Sequence, residues 1–490
     1  MIKNLRKDLI ILFSIFIAIF FIAYMKDVFS SPWWINFDMD IIISSNSISL
    51  LNNKSQSYFD HPGLTTMLFF SGFLKIQEIL KILNFELDNF YDSIVFLKNL
   101  DIVIFQLRIF NLLSISILLF SFFKIFEYFL KNKFFSFLLS LTLLINYNFI
   151  SFNFFPARTE VLSLLFLNLI FIISVNCNLN KFNNFLLGIF FTLALFAKIQ
   201  IILIFFIYFI IFINRHIFFD LKKRIKIYLK YFFFLNTLIS LIVYIYTSQY
   251  IDSFVLFILL SCFNIYLIDK LDNKNFLNIY FFYIGFFLLI FIFFINYDLR
   301  NIEVVLNPIK NSLRWSQDDY LLSNFFNFNY YVDLSIIEVI KNYKNFFLII
   351  FINLFFLITL NNNPIIKLNY TLIIISIFIV WILFSQRSGF LRYGIYILPC
   401  FYLLFVKTFY FDNKKLNTKI LFTFFIINIF FNLSFFIKKY ETADNYINIY
   451  RIQKICSLKD ETKKFNQLNY FFSNKKKDVE IICLNIDKVL

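Results

Sequence analysis

The stretch INFDMDIIISSNSISLLNNKSQSYFDHPGL, residues 35–64, sets Asp38, Asp40, Asp60 and His61 directly after a run that reads as a membrane anchor. Ionisable groups at the edge of a membrane span are costly unless they face water, a partner or a substrate. Carboxylates so placed can accept a proton, and an Asp-x-Asp pair can hold Mg²⁺ or Mn²⁺. An aspartate in a wet loop needs no function, but three neighbours single this pair out. The interfacial aromatics PWW precede it, a helix-like stretch follows, and FDHPGL closes the region. Pro62 ends one element and opens another, which fixes where Asp60 and His61 point. Asp38 and Asp40 are two residues apart, so on a helix they cannot face the same way.

Composition tells which other residues to weigh. The 490 residues are 60% hydrophobic and 23% aromatic, with a mean hydropathy of +0.75, which is outside the range of soluble domains. Phe 79 beside Gly 6 and Pro 6, with abundant Ile, Asn and Lys, is the mark of a compositional drift that fills every replaceable position. Residues used against that drift are the informative ones: ten of the 46 basic residues are Arg, and only two residues are His. The net charge of +16 belongs to short loops that fix membrane orientation, so no nucleic-acid partner is implied. The five cysteines show no metal-ligand spacing.

The elements that position these residues follow from the basic loops. Lys3, Arg6 and Lys7 hold the N-terminus inside, as an uncleaved first span, so the region 26–105 is the first external loop. The run 106–123 then crosses inward to Lys124, Lys131 and Lys133. Residues 64–83, carrying Lys75, Glu78 and Lys81, read as an amphipathic helix on or dipping into the outer face. The chain crosses out to SFNFFPARTE and back, and 185–213 folds as a tight hairpin with Lys198 at an outer apex. Runs at 231–248, 253–268 and 275–296 lead to a late external loop, 297–344. Runs at 345–361, 368–385, 393–409 and 419–437 bring the total to about 13 transmembrane helices. The expected fold is therefore an all-α polytopic membrane protein with a transmembrane region 1–437. A small polar α/β tail, 438–490, follows it on the outside, where Cys456 and Cys483 are free or form a disulfide.

The motif order resembles that of the GT-C membrane glycosyltransferases, including protein O-mannosyltransferases and lipid A aminoarabinose transferases. DMD in the first external loop, the turn HPGL, LRIFNLLS, PARTEVLSLLF, SGFLRYGIYILP and the short Lys198 hairpin carry the resemblance. Gly63 stands where the family has a second proline, and the acid pair is Asp-x-Asp where the family has Asp-Glu. The resemblance implies inverting transfer of a sugar from a polyprenyl-phosphate donor to a lipid, glycan or protein acceptor. Transfer would occur on the outer face of the cytoplasmic (inner) membrane, with the lipid bilayer as the protein's surroundings. It implies that Asp38 or Asp40 is the general base, with the other acid facing a structural partner. Arg158, Lys198, Arg387, Arg392 and Tyr393 would cradle the donor phosphate, and Asp60, His61 and Glu160 would line the substrate pocket. Arg108 is expected to pair structurally with an external acid. No obligatory cofactor or metal is implied, a divalent metal at the acid pair remaining open.

Two other readings compete. A polysaccharide polymerase or ligase would use arginines in a late loop, where Arg300 and Arg314 fall. A transporter or lipid flippase would show broken helices and charges near the membrane midplane.

Overall fold

The computed structural model describes residues 2–25, 28–29, 37–54, 63–83, 93–146, 158–212, 225–247, 250–270, 276–297, 370–371, 373–377 and 394–411, with five helical positions between 422 and 429. These residues form an all-α membrane protein; no strand occurs among the described residues. In chain order the helices are α1 (Ile2–Met25), α2 (Phe37–Leu51), α3 (Leu64–Ile79), α4 (Ser93–Leu130), α5 (Lys133–Ile145) and α6 (Thr159–Asn176). Then follow α7 (Lys181–Ala197), α8 (Ile201–Phe212), α9 (Phe233–Thr247), α10 (Tyr250–Lys270), α11 (Tyr280–Asn296) and α12 (Gly394–Phe411).

The lipid-facing surface is legible on α1. Ile10, Phe13, Ile17, Phe21 and Tyr24 are exposed, while Ile15, Ile19, Ile22 and Ala23 are buried. Such an apolar stripe at helical spacing would be a liability in water and is the solvent-exposed face in a bilayer. At the other extreme is α12, buried from Ile395 to Val406. It sits against α4, where Tyr402 stacks on Phe126, and against α6, where Tyr396 and Ser163 share a hydrogen bond of 2.7 Å.

Four described helices are long and apolar enough to cross a membrane: Arg6–Met25, Ile102–Leu130, Thr159–Asn176 and Leu277–Asn296. The count is five if the bent pair Ile225–Tyr231 and Phe233–Ile245, which meet at 57°, is a single span. This corrects the expected 13 crossings. That count took the run 134–145 as a crossing and the 185–213 hairpin as two, whereas α5, α7 and α8 are helices of 10–17 residues, shorter than a full span. The first external loop is also not a loop in the ordinary sense: α2, α3 and the first turns of α4 lie within it. Most of the late loop, the runs at 345–361 and 419–437 for the most part, and the tail with its expected α/β character lie outside the described residues.

Abundant residue types have uses in this fold. Phe171 of α6 packs on Phe205, Tyr208 and Phe212 of α8 and on Tyr266 of α10, so aromatic volume fills the centre. Asparagines cap helices: Asn132 accepts from the Phe135 amide at 3.2 Å to start α5, and Asn180 accepts from the Asn183 amide at 2.8 Å to start α7. Asn168 of α6 donates to Ser121 Oγ of α4 at 2.8 Å, a polar contact across two apolar helices.

Three of the scarce glycines stand where a side chain fits poorly. Gly63, at the N-cap of α3, has φ 51°. Proline, locked near φ −65°, cannot adopt that conformation, whereas glycine takes it at no steric cost. Gly188 of α7 and Gly285 of α11 face each other. A Cβ on Gly188 would meet the Phe282 carbonyl oxygen and come within 2.7 Å of the Phe286 nitrogen, and one on Gly285 would meet the Phe185 carbonyl oxygen. Close backbone approach over small residues is how membrane helices gain contact without a hydrophobic driving force.

Gly188→Ala and Gly285→Ala are each expected to destabilise the detergent-solubilised protein by about 1–3 kcal/mol, because backbone must move to admit the methyl group. Gly72→Ala, in α3 with nothing within 4 Å, should instead stabilise by about 0.5–1 kcal/mol. Thermal unfolding of the three variants against wild type checks both signs.

Candidate functional site

Asp38 and Asp40 belong to the opening turn of α2, where negative charge is favoured by the helix dipole. Asp40 is fully buried. Its Oδ2 accepts from Arg108 Nε at 3.3 Å and from Nη2 at 3.2 Å, and Arg108 is itself 2% exposed. Arg108 Nη1 donates to the Val28 carbonyl at 2.9 Å, just past the end of α1. One guanidinium thus ties α1, α2 and α4 together, and Arg108 pairs with an acid as the sequence led one to expect. Asp38 occupies a position two residues earlier, about 200° around the helix axis from Asp40; its side chain lies outside the described residues.

A second buried pair forms at the start of α6. Lys198 follows α7 and stands in the three-residue break, 198–200, that separates α7 from α8. This break is the hairpin apex expected from the short apolar run. Lys198 Nζ lies 3.2 Å from Glu160 Oε1, with side-chain exposures of 1% and 4%. Glu160 Oε2 also accepts from Thr159 Oγ1 at 3.3 Å. Arg158, at the N-cap of α6, is close enough to act on the Glu160 carboxylate electrostatically. Glu160 therefore meets the charge of Lys198 directly and that of Arg158 at longer range. The Ser163–Tyr396 hydrogen bond brings the start of α12 within a turn of Glu160.

Helix α3 joins the two pairs to one end of the bundle. Thr65 Oγ1 donates to the Leu193 carbonyl of α7 at 2.9 Å, Phe69 packs on Phe166 of α6, and Phe70 packs on Phe110 of α4. Gln77 Nε2 donates to Gln106 Oε1 of α4 at 2.7 Å. Each contacted residue lies in the half of its helix nearest Lys198, Glu160 or Arg108. Helix α3 does not run the length of the bundle, which agrees with the expected surface helix. At the opposite end, Asp8 of α1 holds Lys133 of α5 at 2.6 Å and Lys124 of α4, which also reaches Glu127 at 3.1 Å. The 24-residue α1 is about 36 Å long. The two groups of charges are therefore about one hydrocarbon thickness apart.

Among the residues singled out from sequence, Glu160 and Lys198 are brought into contact with Arg158 beside them, and Asp40 is bound to Arg108. Asp60, His61, Arg387, Arg392 and Tyr393 lie outside the described residues; Arg392 and Tyr393 directly precede α12 in the sequence. Sequence reading passed over Gln200, Ser163 and Tyr396. The available signal was a polar side chain inside an apolar run, as in FAKIQII, EVLSLLF and GIYILP. Among the described residues no three His, Cys, Asp or Glu converge as they would around a metal ion. No protein-family model, curated protein or solved structure matches the chain.

The two ion pairs give a stability prediction. Asp40→Asn leaves a buried guanidinium without its counter-charge and should cost about 3–5 kcal/mol, whereas Asp40→Leu combined with Arg108→Met should recover most of that loss. Unfolding of both variants in detergent checks it: an Asp40→Asn protein as stable as wild type would show that the pair does not hold α1, α2 and α4 together.

Proposed function

We propose that this chain is a membrane glycosyltransferase that moves a sugar from a polyprenyl-phosphate donor to an acceptor hydroxyl, with its site at the Arg108–Lys198 end of the bundle facing the outside of the cytoplasmic membrane. The observation that carries the reading is the gathering of four sequence-distant features at that end. They are the acid-bearing turn of α2, the short helix α3, the Lys198 apex and the Arg158–Glu160 start of α6.

The chemistry assigns different work to the two aspartates. As the acceptor oxygen attacks the anomeric carbon, its bond forms, the bond from that carbon to the donor phosphate oxygen breaks, and configuration inverts. The acceptor proton goes to a carboxylate, and the polyprenyl phosphate leaves with the electron pair. Asp40, spent on Arg108, is the anchor, and Asp38 on the other side of the same turn is the base. The departing phosphate needs positive charge that is already in place. Arg158 and Lys198 supply it; Arg387, Arg392 and Tyr393, which precede α12 in the sequence, are assigned to the same phosphate. Glu160 keeps Lys198 charged and aimed in a buried setting. The acceptor is a lipid, a glycan or a protein.

One observation favours the transporter reading as a second choice: the 57° bend between Ile225–Tyr231 and Phe233–Ile245, a broken helix of the kind such proteins use. Uptake of labelled polyprenyl lipid into vesicles, with no sugar transfer, would select it.

Asp38→Asn is expected to lower donor-dependent sugar transfer by about 10²- to 10⁴-fold with unfolding unchanged. Arg392→Lys should lose activity too, since a planar fork on two phosphate oxygens is not replaced by a point charge. Transfer assays on purified protein with membrane-extract donors and acceptors test both, and near-wild-type rates in both variants would remove the proposed machinery.

A further inference from the structure

Gln200 is a primary amide 1% exposed, and neither its Nε2 nor its Oε1 has a hydrogen-bond partner among the described residues. A buried amide with neither atom satisfied is costly, and most such groups in native proteins are paired. The position is not accidental in its surroundings. Gln200 shares the three-residue break between α7 and α8 with Lys198, whose Nζ is 3.2 Å from Glu160. The backbone of that break is satisfied locally, the Ile201 amide donating to Lys198 O at 3.1 Å and the Leu203 amide to Gln200 O at 3.1 Å. The side chain, not the main chain, is what the turn leaves unmatched.

Tyr283, Asn236 and Asn264 bond to one another between α9, α10 and α11, and Tyr228 pairs with Ser261. Single atoms elsewhere are unmatched, the Thr66 and Tyr208 hydroxyls and Asn264 Oδ1 among them, but Gln200 is the one described side-chain amide with neither atom matched. Ser44 and Ser47 have unmatched hydroxyls, but each is a small rotor able to turn onto the carbonyl four residues before it. Gln200 has no such local recourse, because its amide stands at the end of a longer stem.

We propose that Gln200 binds the sugar portion of the donor, its amide taking one hydroxyl as acceptor and giving to another, beside Lys198, which with Arg158 faces the phosphate end. A neutral group that both donates and accepts is complementary to a vicinal pair of hydroxyls, which also donate and accept, and not to a phosphate, which at neutral pH mainly accepts. A site built to pair with hydroxyls discriminates strongly against a ligand lacking them, because its own buried groups are then left unmatched. Gln200 is thus a specificity residue of the proposed transferase, and this assignment rests on the donor class proposed above.

The test is native mass spectrometry of the purified full chain with a long-chain polyprenyl phosphate, bare or carrying glucose, mannose, galactose or N-acetylglucosamine. Wild type should bind at least one glycosylated lipid about tenfold more tightly than the bare phosphate, the advantage expected from about two added hydrogen bonds. Gln200→Met, which keeps length and removes the amide, should bind the bare lipid as wild type does and lose the sugar-dependent advantage. Gln200→Glu, which keeps the acceptor and removes the donor, should lose part of it. Wild type with no preference for any glycosylated lipid overturns the assignment even where the bare phosphate binds, and so does a Gln200→Met protein that retains the full preference. If neither lipid form binds, the donor class itself fails and takes this assignment with it. Sugar-dependent binding without any transfer would instead leave Gln200 as a sugar contact and sink the enzyme reading alone.

Discussion

A charge carried into an apolar bundle must be met there by an opposite charge, because the desolvation penalty exceeds what dispersed protein dipoles can return. Arg108 and Lys198 are both almost fully buried, and each reaches a carboxylate on another helix: Asp40 for Arg108, Glu160 for Lys198. The geometry of this end of the protein follows from that requirement. Arg108 can be buried only if α2 delivers Asp40 to it, and its third contact, the Val28 carbonyl, fixes where the chain leaves α1. Lys198 can be buried only if the break between α7 and α8 stands beside the start of α6. The ion pairs are weak evidence of net stability and strong evidence of specified geometry, since removing either partner alone leaves an uncompensated charge.

The two pairs are not equivalent, and the difference links fold to function. Asp40 with Arg108 holds three segments in place. Glu160 faces Lys198 and also feels the charge of Arg158 at the start of α6. Behind both, the bundle is built from aromatic volume and from the close approach of α7 and α11 at Gly188 and Gly285. That contact places α7, and hence Lys198 at its end, with little freedom to shift.

Much of this was legible in the sequence, for physical reasons that can be named. The cost of buried charge made Asp40, Arg108, Glu160 and Lys198 visible against a background of Phe and Ile. The 29-residue apolar run from 185 to 213 was too short for two full spans, and this exposed the hairpin and its apex. The crossing count failed because hydropathy and loop charge record that a run is apolar and not how long its helix is, so α5 was taken as a crossing and the hairpin of α7 and α8 as two. Which acid Arg108 would take was also illegible: i, i+2 spacing separates Asp38 from Asp40 but does not say which side faces α4. Gln200 was missed because one amide in an apolar run looks like drift until its lack of partners is seen.

The central claim is that the ion pairs at Arg108 and Lys198 lie on the outer side of the membrane and the Asp8 cluster on the inner side. Sidedness of two positions measures it directly. Cys177, exposed in the turn between α6 and α7 at the Asp8 end, is a native reporter. Lys54→Cys, in an otherwise cysteine-free chain, reports the end at which α2 and α3 meet. In intact cells an impermeant thiol reagent should label the Lys54→Cys protein, while a chain retaining Cys177 alone should be labelled only after permeabilisation. Labelling of both from outside, or the reverse pattern, would contradict the account.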